Sequence, residues 1–337
     1  MQKTTIGDVA RASGVSKATV SYVLNNKKTS LGLSSQTIDH VLKISRELDY
    51  RPDLVAVALA EKKKRPLSLL VLTPWLYAQF SDFMVQVYSA MKDFAEDNPL
   101  KTVYEAYELG RLNKGLSGSK CGKFDAVIVI GTGEKDNQYL IRNRSKLPNV
   151  VLLNRKIPDY PCAAGNDGEA AAELAERVAA SSFYENYVVG FPNRPSFCEQ
   201  ERVCGFVRAL KKTAGITAIQ HRIENALPPE TALQKLLAER GGKKTLFFLP
   251  QYYPAAQMAE LALRQGIRIP DEIGVVAYDL HSMLKNFIHP ALTTIDPQIG
   301  RMTGEALRLA CAVKNGEKAE GRITEGIFES GESAIHI

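Results

Sequence analysis

The sequence predicts an α/β protein in which an all-α helix-turn-helix headpiece is followed by a two-lobed body built on parallel sheets. Three observations predict this class. Two short amphipathic helices joined by a glycine begin the chain, continuous apolar strands alternate with helices from residue 66 onward, and 337 residues exceed what one core holds comfortably. We expect a headpiece over 1–51, a short apolar segment with a basic linker over 52–65, and the body over 66–337.

Composition excludes several classes of protein. The chain is 45% hydrophobic and 24% charged, which is typical of a globular protein with an ample core. Neither a long apolar run nor an apolar segment after Met1 occurs, so we expect no membrane span, no secretory signal and no membrane partner. Five cysteines without a CxxC pair argue against disulfides or a structural zinc site and fit a reducing cytoplasm.

Charge is distributed unevenly along the chain. The net charge is +6, and residues 1–65 carry all of the excess, whereas acidic and basic side chains balance in the remainder. A small basic module attached to a large neutral body is typical of a protein that binds a polyanion such as nucleic acid.

The first 50 residues predict three short helices. Thr5 is expected to cap a helix that ends at Ser13, and Ser16 a second helix from Lys17 to Leu24, because apolar residues recur at helical spacing after each cap. Gly14 between them tolerates the left-handed backbone of a tight turn. A third helix is expected over about 35–49. Its side toward the first two helices should carry Ile38, Val41, Leu42, Ser45 and Leu48. Such a helix-turn-helix can place its second helix in the DNA major groove.

An ordered string of residues in this module resembles the headpiece of the LacI/GalR repressors. The string comprises Asp8-Val9-Ala10, residues 14–21 (GVSKATVS), Val23-Leu24-Asn25 and residues 48–52 (LDYRP). The resemblance implies that Lys17, Ala18 and Tyr22 read bases. It also implies that short polar side chains meet the DNA backbone, namely Thr5, Ser16, Thr19, Ser21 and Asn25.

The chemistry of the base-reading positions supports part of this assignment. Lys17 can donate to guanine, and the small Ala18 can touch a thymine methyl. Tyr22 stands where the family usually has Arg, and a tyrosine cannot form the two-pronged contact with guanine. The alternative for Ser16 and Thr5 is a capping role alone, although a capped helix N-terminus also suits a phosphate.

Residues 52–60 are apolar and precede a basic run over 62–65. In the family the matching segment is a hinge helix that folds on the operator in the minor groove. By this resemblance Leu59 is the wedge between central base pairs, and Ala56 lies beside it. The alternative is that these apolar residues dock an ordinary helix. The basic run is expected to serve mainly as a linker.

The rest of the chain predicts two α/β lobes. Continuous apolar strands that alternate with helices indicate parallel sheets covered on both faces. Strands are expected at 69–72, 102–104, 126–130, 150–153, 188–190, 246–249 and 273–277. Helices are expected at about 80–97, 137–147, 168–181, 199–213, 230–239, 254–265 and 299–314.

The body is similar to the effector domain of the same family, which shares its fold with periplasmic sugar-binding proteins. Residues 202–206 (RVCGF), 266–279 (GIRIPDEIGVVAYD) and 290–295 (PALTTI) carry this similarity. It implies a periplasmic-binding-protein-like cleft that closes over a sugar-like effector, with Arg202 and Asp279 at ligand-contacting positions. A guanidinium and a carboxylate can bracket vicinal hydroxyls; a salt bridge is the alternative.

Further candidates for this cleft follow other strands. Trp75 and Phe80 follow the first strand, where they could stack on a sugar face or belong to the core. Asn154-Arg155 and Asn166-Asp167 could edge the cleft or be turn residues. Pro250-Gln251 stand where the family has an Asn-Asp pair, which leaves the identity of the effector open.

The resemblance implies a cytoplasmic, nucleoid-associated transcriptional regulator, a repressor by analogy, that binds a palindromic operator as a homodimer. An enzyme is not expected, because GxSxG, HExxH and P-loop motifs are absent and the five histidines lack metal-ligand spacing, so neither cofactor nor metal is expected. One alternative is a DNA-binding regulator with a degenerate effector pocket, controlled by a protein partner or not at all. Another is an architectural DNA-binding protein without an effector response.

Overall fold

The computed structural model describes residues 4–24, 33–50, 65–74, 81–117, 121–193, 196–223, 228–279 and 288–335. The chain divides into two units, Met1–Arg65 and Pro66–Ile337, which we call the headpiece unit and the body. All of the predicted hinge except Arg65 lies outside the described residues, so the hinge helix and the roles of Ala56 and Leu59 stay predictions.

The headpiece unit contains three helices: α1 (Ile6–Ser13), α2 (Lys17–Leu24) and α3 (Ser35–Glu47). The helix-turn-helix prediction is confirmed. Its small core consists of Val9, Ala10, Val20, Val23 and Val41.

One detail of the α3 prediction is wrong. Val41 and Ser45 are buried and Leu42 is half-buried as expected, but Ile38 and Leu48 are exposed. Leu33 and Tyr50, which flank the helix, and Ile44 within it pack against the core together with Leu42, so the buried face of α3 leaves Ile38 and Leu48 at its margin.

The body begins with the elements of a first lobe. In chain order these are β1 (Leu67–Thr73), α4 (Ser81–Asp97), β2 (Leu100–Ala106), α5 (Leu112–Gly115), β3 (Ala126–Ile130), α6 (Glu134–Asn143), β4 (Val150–Leu153) and β5 (Cys162–Gly165). A 3₁₀ turn, Arg144–Lys146, follows α6, so the helix expected at 137–147 begins earlier and ends earlier than predicted.

A second lobe follows, and the chain then returns to the first. The second lobe contains α7 (Asp167–Ala180), β6 (Asn186–Pro192), α8 (Phe197–Ala214), β7 (Ile219–Ile223), α9 (Glu230–Ala238), β8 (Thr245–Leu249), α10 (Tyr252–Arg264) and β9 (Ile273–Ala277). After β9, β10 (Thr294–Asp296) packs with the second lobe, whereas α11 (Ile299–Lys314) and β11 (Arg322–Thr324) return to the first. The last strand, β12 (Ile327–Glu329), pairs with β10.

Both large sheets are parallel, as predicted. The first has the strand order β11-β5-β4-β3-β1-β2 and the second β7-β6-β8-β9, while β10 and β12 form a small antiparallel ladder. Helices cover both faces of the first sheet: Leu69 and Val71 pack with residues of α4 and α11, whereas Leu70 and Leu72 pack with residues of α5 on the other face. Burial on both faces is why these strands are apolar throughout.

Candidate functional site

The turn between α1 and α2 is held by the residues that the sequence singled out. Gly14 has φ +66°, and its N–H donates to the carbonyl of Ala10. The Ser16 hydroxyl accepts from the backbone N–H of Thr19 at 3.1 Å, which caps α2. The hydroxyl and backbone N–H of Thr5 both donate to Asp8 at the start of α1. These hydrogen bonds from Thr5 hold the pKa of Asp8 below its ordinary value.

One side of α2 offers its side chains to solvent. Lys17 and Ala18 are exposed, as is the cap residue Ser16, while Val20 and Val23 point into the core. Thr19, Ser21 and Tyr22 are half-buried. The structure therefore places most of the predicted DNA-contacting residues on or next to one short helix; Asn25 lies outside the described residues.

Gly7 leaves room for the side chain of Lys17. A Cβ at Gly7 would lie only 3.2 Å from Cε of Lys17, so the lysine stem runs close over the backbone of α1. The ammonium group is exposed at the start of α2, where it adds to the positive end of the helix dipole. The start of α2 is thus suited to an anionic surface.

In the body, strand ends from both lobes meet at a set of residues that we call the interlobe site: Asn154, Arg155, Asp167, Cys198, Arg202 and Asp279. Asn154 and Arg155 follow β4, Asp167 begins α7 just after β5, Cys198 and Arg202 lie on α8, and Asp279 follows β9. The carboxyl ends of parallel strands are where this class of fold binds ligands.

Arg202 joins three of these strand ends. Its Nε donates to Asp167 Oδ1 at 2.7 Å, and its Nη1 donates to the carbonyl of Pro250 at 2.9 Å and lies 3.6 Å from Asp279 Oδ2. The guanidinium also stacks 4.0 Å from the ring centre of Tyr278. Only 2% of Arg202 is exposed, and its Nε and Nη1 form their hydrogen bonds within the protein.

Asp279 is more exposed than Arg202: 30% of the Asp279 side chain is accessible to solvent, against 2% of the Arg202 side chain. Its backbone has φ +76°, an uncommon conformation for a residue other than glycine, and its N–H donates to the carbonyl of Ile295 at 3.0 Å. Burial raises the pKa of Asp279 to about 6 against the opposing effect of Arg202, and the carboxylates of Asp167 and Glu199 add to the rise. Asp279 is the acidic group of the interlobe site that remains accessible.

Arg155 lies at the boundary between the lobes. Its Nη2 donates to the carbonyl of Thr132 at the end of β3, and its guanidinium lies 5.4 Å from the ring of Phe197 in the second lobe. Burial lowers the pKa of Arg155. The thiol of Cys198 bonds with Asn154 across the same boundary, so the two lobes touch through consecutive residues on each side.

The structure brings Arg202 within 3.6 Å of Asp279, which is the ion pair that the sequence offered as the alternative, and adds Asp167 as the closest partner of Arg202. That Arg202 and Asp279 contact a ligand stays a prediction. From the sequence alone, Asp167 could be a residue at the edge of the cleft or a turn residue, because the four small residues of β5 do not show a strand pattern. Trp75 and Phe80, the other two predicted ligand residues, lie outside the described residues. Within the described part of the chain, no helix is both long and apolar enough to span a membrane.

Comparisons with known proteins agree with this architecture. Residues 5–53 match the family model for bacterial regulatory proteins of the lacI family, and residues 187–328 match a periplasmic binding protein-like domain. Similar curated proteins include the probable transcriptional repressor ExuR of Bacillus subtilis, 24% identical over 89% of this chain and 88% of its own length. The regulator GalS of Salmonella typhimurium is 29% identical over 91% of this chain and 88% of its own length.

Solved structures show the same fold. A Lac repressor dimer bound to operator and the anti-inducer ONPF aligns with a TM-score of 0.73 at 17% identity, covering 98% of this chain and 99% of that chain. A complex of the transcriptional regulator CelR with cellobiose aligns with a TM-score of 0.67 at 18% identity, covering 98% and 100%. With its lacI-type headpiece, its two-lobed parallel-sheet body and full-length relatives of the same organisation, the chain belongs to the LacI family of transcriptional regulators.

Proposed function

We propose that this protein is a transcriptional repressor that binds a palindromic DNA operator as a homodimer in the cytoplasm, and that a sugar-like effector in the cleft between the lobes changes its affinity for DNA. The observation that carries the DNA-binding part is α2, a capped helix whose first residues, Lys17 and Ala18, are exposed opposite a buried apolar side. Such a helix fits the major groove, and the two-fold symmetry of a dimer requires two matching half-sites.

Within this proposal each predicted DNA-contacting residue has a role. Lys17, Ala18 and Tyr22 read base edges. The backbone of the duplex is met by Thr5, Ser16, Thr19, Ser21 and Asn25, since short polar side chains at helix starts suit phosphate oxygens. Ala56 and Leu59 enter the minor groove at the centre of the operator.

The test is selection of the preferred sequence from a pool of randomised duplexes by the purified full-length chain, followed by fluorescence anisotropy on the winners. We expect an inverted repeat, and an affinity that falls steeply as salt rises because phosphate contacts release counterions. Selection of a non-repeating sequence, or of no sequence at moderate salt, would contradict the proposal.

For the effector part, the support is the convergence of strand ends from both lobes at the interlobe site, where Asp279 stays accessible. A second candidate function is a regulator whose pocket no longer binds a small molecule. The burial of Arg202 against Asp167 favours that candidate, since its Nε and Nη1 already donate within the protein and the side chain is almost fully covered. A change in operator affinity on adding a metabolite distinguishes the two functions.

A further inference from the structure

Arg155 is a buried guanidinium that has no acidic partner within the described part of the chain. It is 3% exposed and forms no ion pair with any carboxylate among the residues that the structure describes. Arg202 is equally buried but has carboxylate oxygens at 2.7 and 3.6 Å. A buried charge is costly unless it is paired, so Arg155 lacks the compensation that Arg202 has.

The hydrogen bonds of Arg155 are also incomplete. Nη2 donates to the carbonyl of Thr132, but the buried Nε has no hydrogen-bond partner. A buried N–H of a charged group is rarely left unbonded, because its desolvation is then not repaid by any acceptor. The vacant donor belongs to the side chain that faces Phe197 across the lobe boundary.

The two carboxylates that influence the pKa of Arg155, those of Asp136 and Glu134, form their hydrogen bonds with other groups. Glu134 and Asp136 act on Arg155 only at a distance. The oxygens of Asp136 accept the backbone N–H groups of Gly110, Leu112 and Gly133, which anchor the start of α6. Glu134 accepts from the side chain of Gln138. Neither carboxylate supplies the partner that Arg155 lacks.

A second, independent feature of the same place attracts negative charge. Phe197, whose ring lies beside the guanidinium, is the first residue of α8, an 18-residue helix. The positive end of its dipole therefore lies next to a cation, and the two repel each other unless an anion stands between them. Glu199 caps this helix through the N–H of Ser196, which uses its carboxylate locally.

The interlobe site thus contains two kinds of polar group. Arg155 and the start of α8 favour an anionic oxygen group, while Asp279, accessible and acidic, favours hydroxyl donors. Cys198 contacts Asn154, the chain neighbour of Arg155, and lies one helical turn before Arg202, whose Nη1 is 3.6 Å from Asp279, so both parts adjoin the start of α8. A ligand with an acidic group and several hydroxyls would satisfy both.

We propose that Arg155 is the anion-binding residue of this cleft, and that the effector is a hydroxyl-rich molecule bearing a carboxylate or a phosphate, such as a sugar acid or sugar phosphate. The proposal rests on the effector part of the proposed function. It assigns the ligand contact from the first lobe to Arg155 and makes Arg202 a positioning residue that holds Asp279. The acidic group of the ligand replaces the missing carboxylate partner.

The experiment is titration calorimetry of the full-length chain at constant ionic strength with sugars that differ in one group. The pairs are glucose with glucuronate, galactose with galacturonate, and glucose with glucose 6-phosphate. We expect at least one acidic member to bind about tenfold or more tightly than its neutral parent, because a charge-assisted, bidentate contact is added. Comparison of glucuronate with glucose 6-phosphate distinguishes a carboxylate from a phosphate.

Two variants and one control connect this preference to the residue. Arg155→Gln is expected to lose the preference for the acid, and Arg155→Lys to keep part of it through its charge. Arg142→Gln, which removes an exposed arginine from α6 of the same lobe, should leave the preference unchanged. Should Arg155→Gln fail to fold, Arg155→Lys and the wild-type pairs still decide the outcome.

Equal affinity for acid and parent, no binding by any acid, or an unchanged preference in Arg155→Gln would each overturn the inference. Operator affinity is measured by anisotropy in the same samples. If it is intact while the acids fail to bind, the inference falls and the DNA-binding part of the proposed function stands. If neutral sugars alone bind and change operator affinity, the effector part stands as well.

Discussion

The thiol of Cys198, in the second lobe, lies 3.2 Å from the backbone oxygen and 3.3 Å from the side-chain oxygen of Asn154, in the first. It is a direct bond between the lobes, next to the stacking of Arg155 on Phe197. Any motion that separates the lobes at this point must break it. The contact therefore provides a chemical probe of lobe separation.

Thiol reactivity should report this contact. Burial raises the pKa of Cys198, so at pH 8 it is protonated and covered, whereas Cys204 on the same helix is exposed. We expect Cys198 to react with iodoacetamide at least about tenfold more slowly than Cys204. Peptide mass spectrometry over time measures both rates in one sample. Equal rates would show that the lobes part readily at Asn154.

A buried ion pair supports the second lobe, and its loss should be costly. Asp167→Asn removes the charge that lies 2.7 Å from Arg202 while keeping the shape of the side chain. We expect the free energy of unfolding to fall by about 3 kcal/mol, because a buried guanidinium loses its main partner. Denaturant titration of the full-length chain gives the value.

The matched control is Glu173→Gln, which breaks the exposed pair with Arg177 on the same helix. Exposed pairs contribute little, so this variant should lose less than about 1 kcal/mol. Similar losses in the two variants would mean that Asp279, at 3.6 Å, replaces Asp167 as the partner of Arg202.

Stability should depend on the protonation of Asp279. Its pKa is raised from the ordinary 3.8 to about 6, chiefly by burial, so between these values the folded chain holds the proton more tightly than the unfolded chain. The contribution of Asp279 to stability is therefore largest below pH 4 and is lost as the pH rises through 6. Melting temperatures from pH 4.5 to 7.5 should show this slope in the wild type.

The slope should be smaller in Asp279→Asn, which cannot titrate, and unchanged in Glu201→Gln, an exposed carboxylate of α8. The difference between wild type and Asp279→Asn isolates one group from the other acids. An identical pH dependence in those two proteins would show that Asp279 titrates near its ordinary value.

The fold could be predicted from the sequence because it follows from local patterns. Strands such as Ala126–Ile130 are apolar without interruption, and only burial on both faces explains that. The strands that were not predicted lack this signal. Cys162–Gly165 is made of small residues and Ile219–Ile223 is mostly polar, so their pairing is decided by the neighbouring strand and not by their own composition.

The interlobe site was only partly predictable, for a related reason. Family resemblance singled out Arg202 and Asp279, but the burial of Arg202 depends on Asp167, Pro250 and Tyr278, which come from distant parts of the chain. Residue types alone cannot show that Arg155 lacks a carboxylate partner. That finding depends on the three-dimensional surroundings of its buried guanidinium.

Lys17 should matter for operator choice and not merely for charge. Lys17→Ala is expected to weaken binding to the selected operator about tenfold more than binding to an unrelated duplex, because a base contact adds to the phosphate attraction. Lys43→Ala, an exposed lysine of α3, removes the same charge away from the recognition helix and should affect the two duplexes equally. Anisotropy titrations at one salt concentration measure all four affinities. Equal effects of Lys17→Ala on both duplexes would show that Lys17 contacts the phosphates of the DNA and not its bases.

Tyr22 should determine one inner base of each half-site. The residue lies on α2, half-buried, and its phenol has a single O–H, so it cannot form the two-pronged contact with guanine that an arginine forms. Tyr22→Arg should therefore raise affinity about tenfold for duplexes that carry guanine at one symmetric position, and leave the others nearly unchanged. Competition anisotropy with duplexes that differ at single symmetric positions identifies that base.

The control is Gln36→Arg on α3, which adds the same charge outside α1 and α2 and should therefore strengthen binding to every duplex alike. If Tyr22→Arg behaves in that uniform way, position 22 faces phosphates and the inner bases are read by other residues.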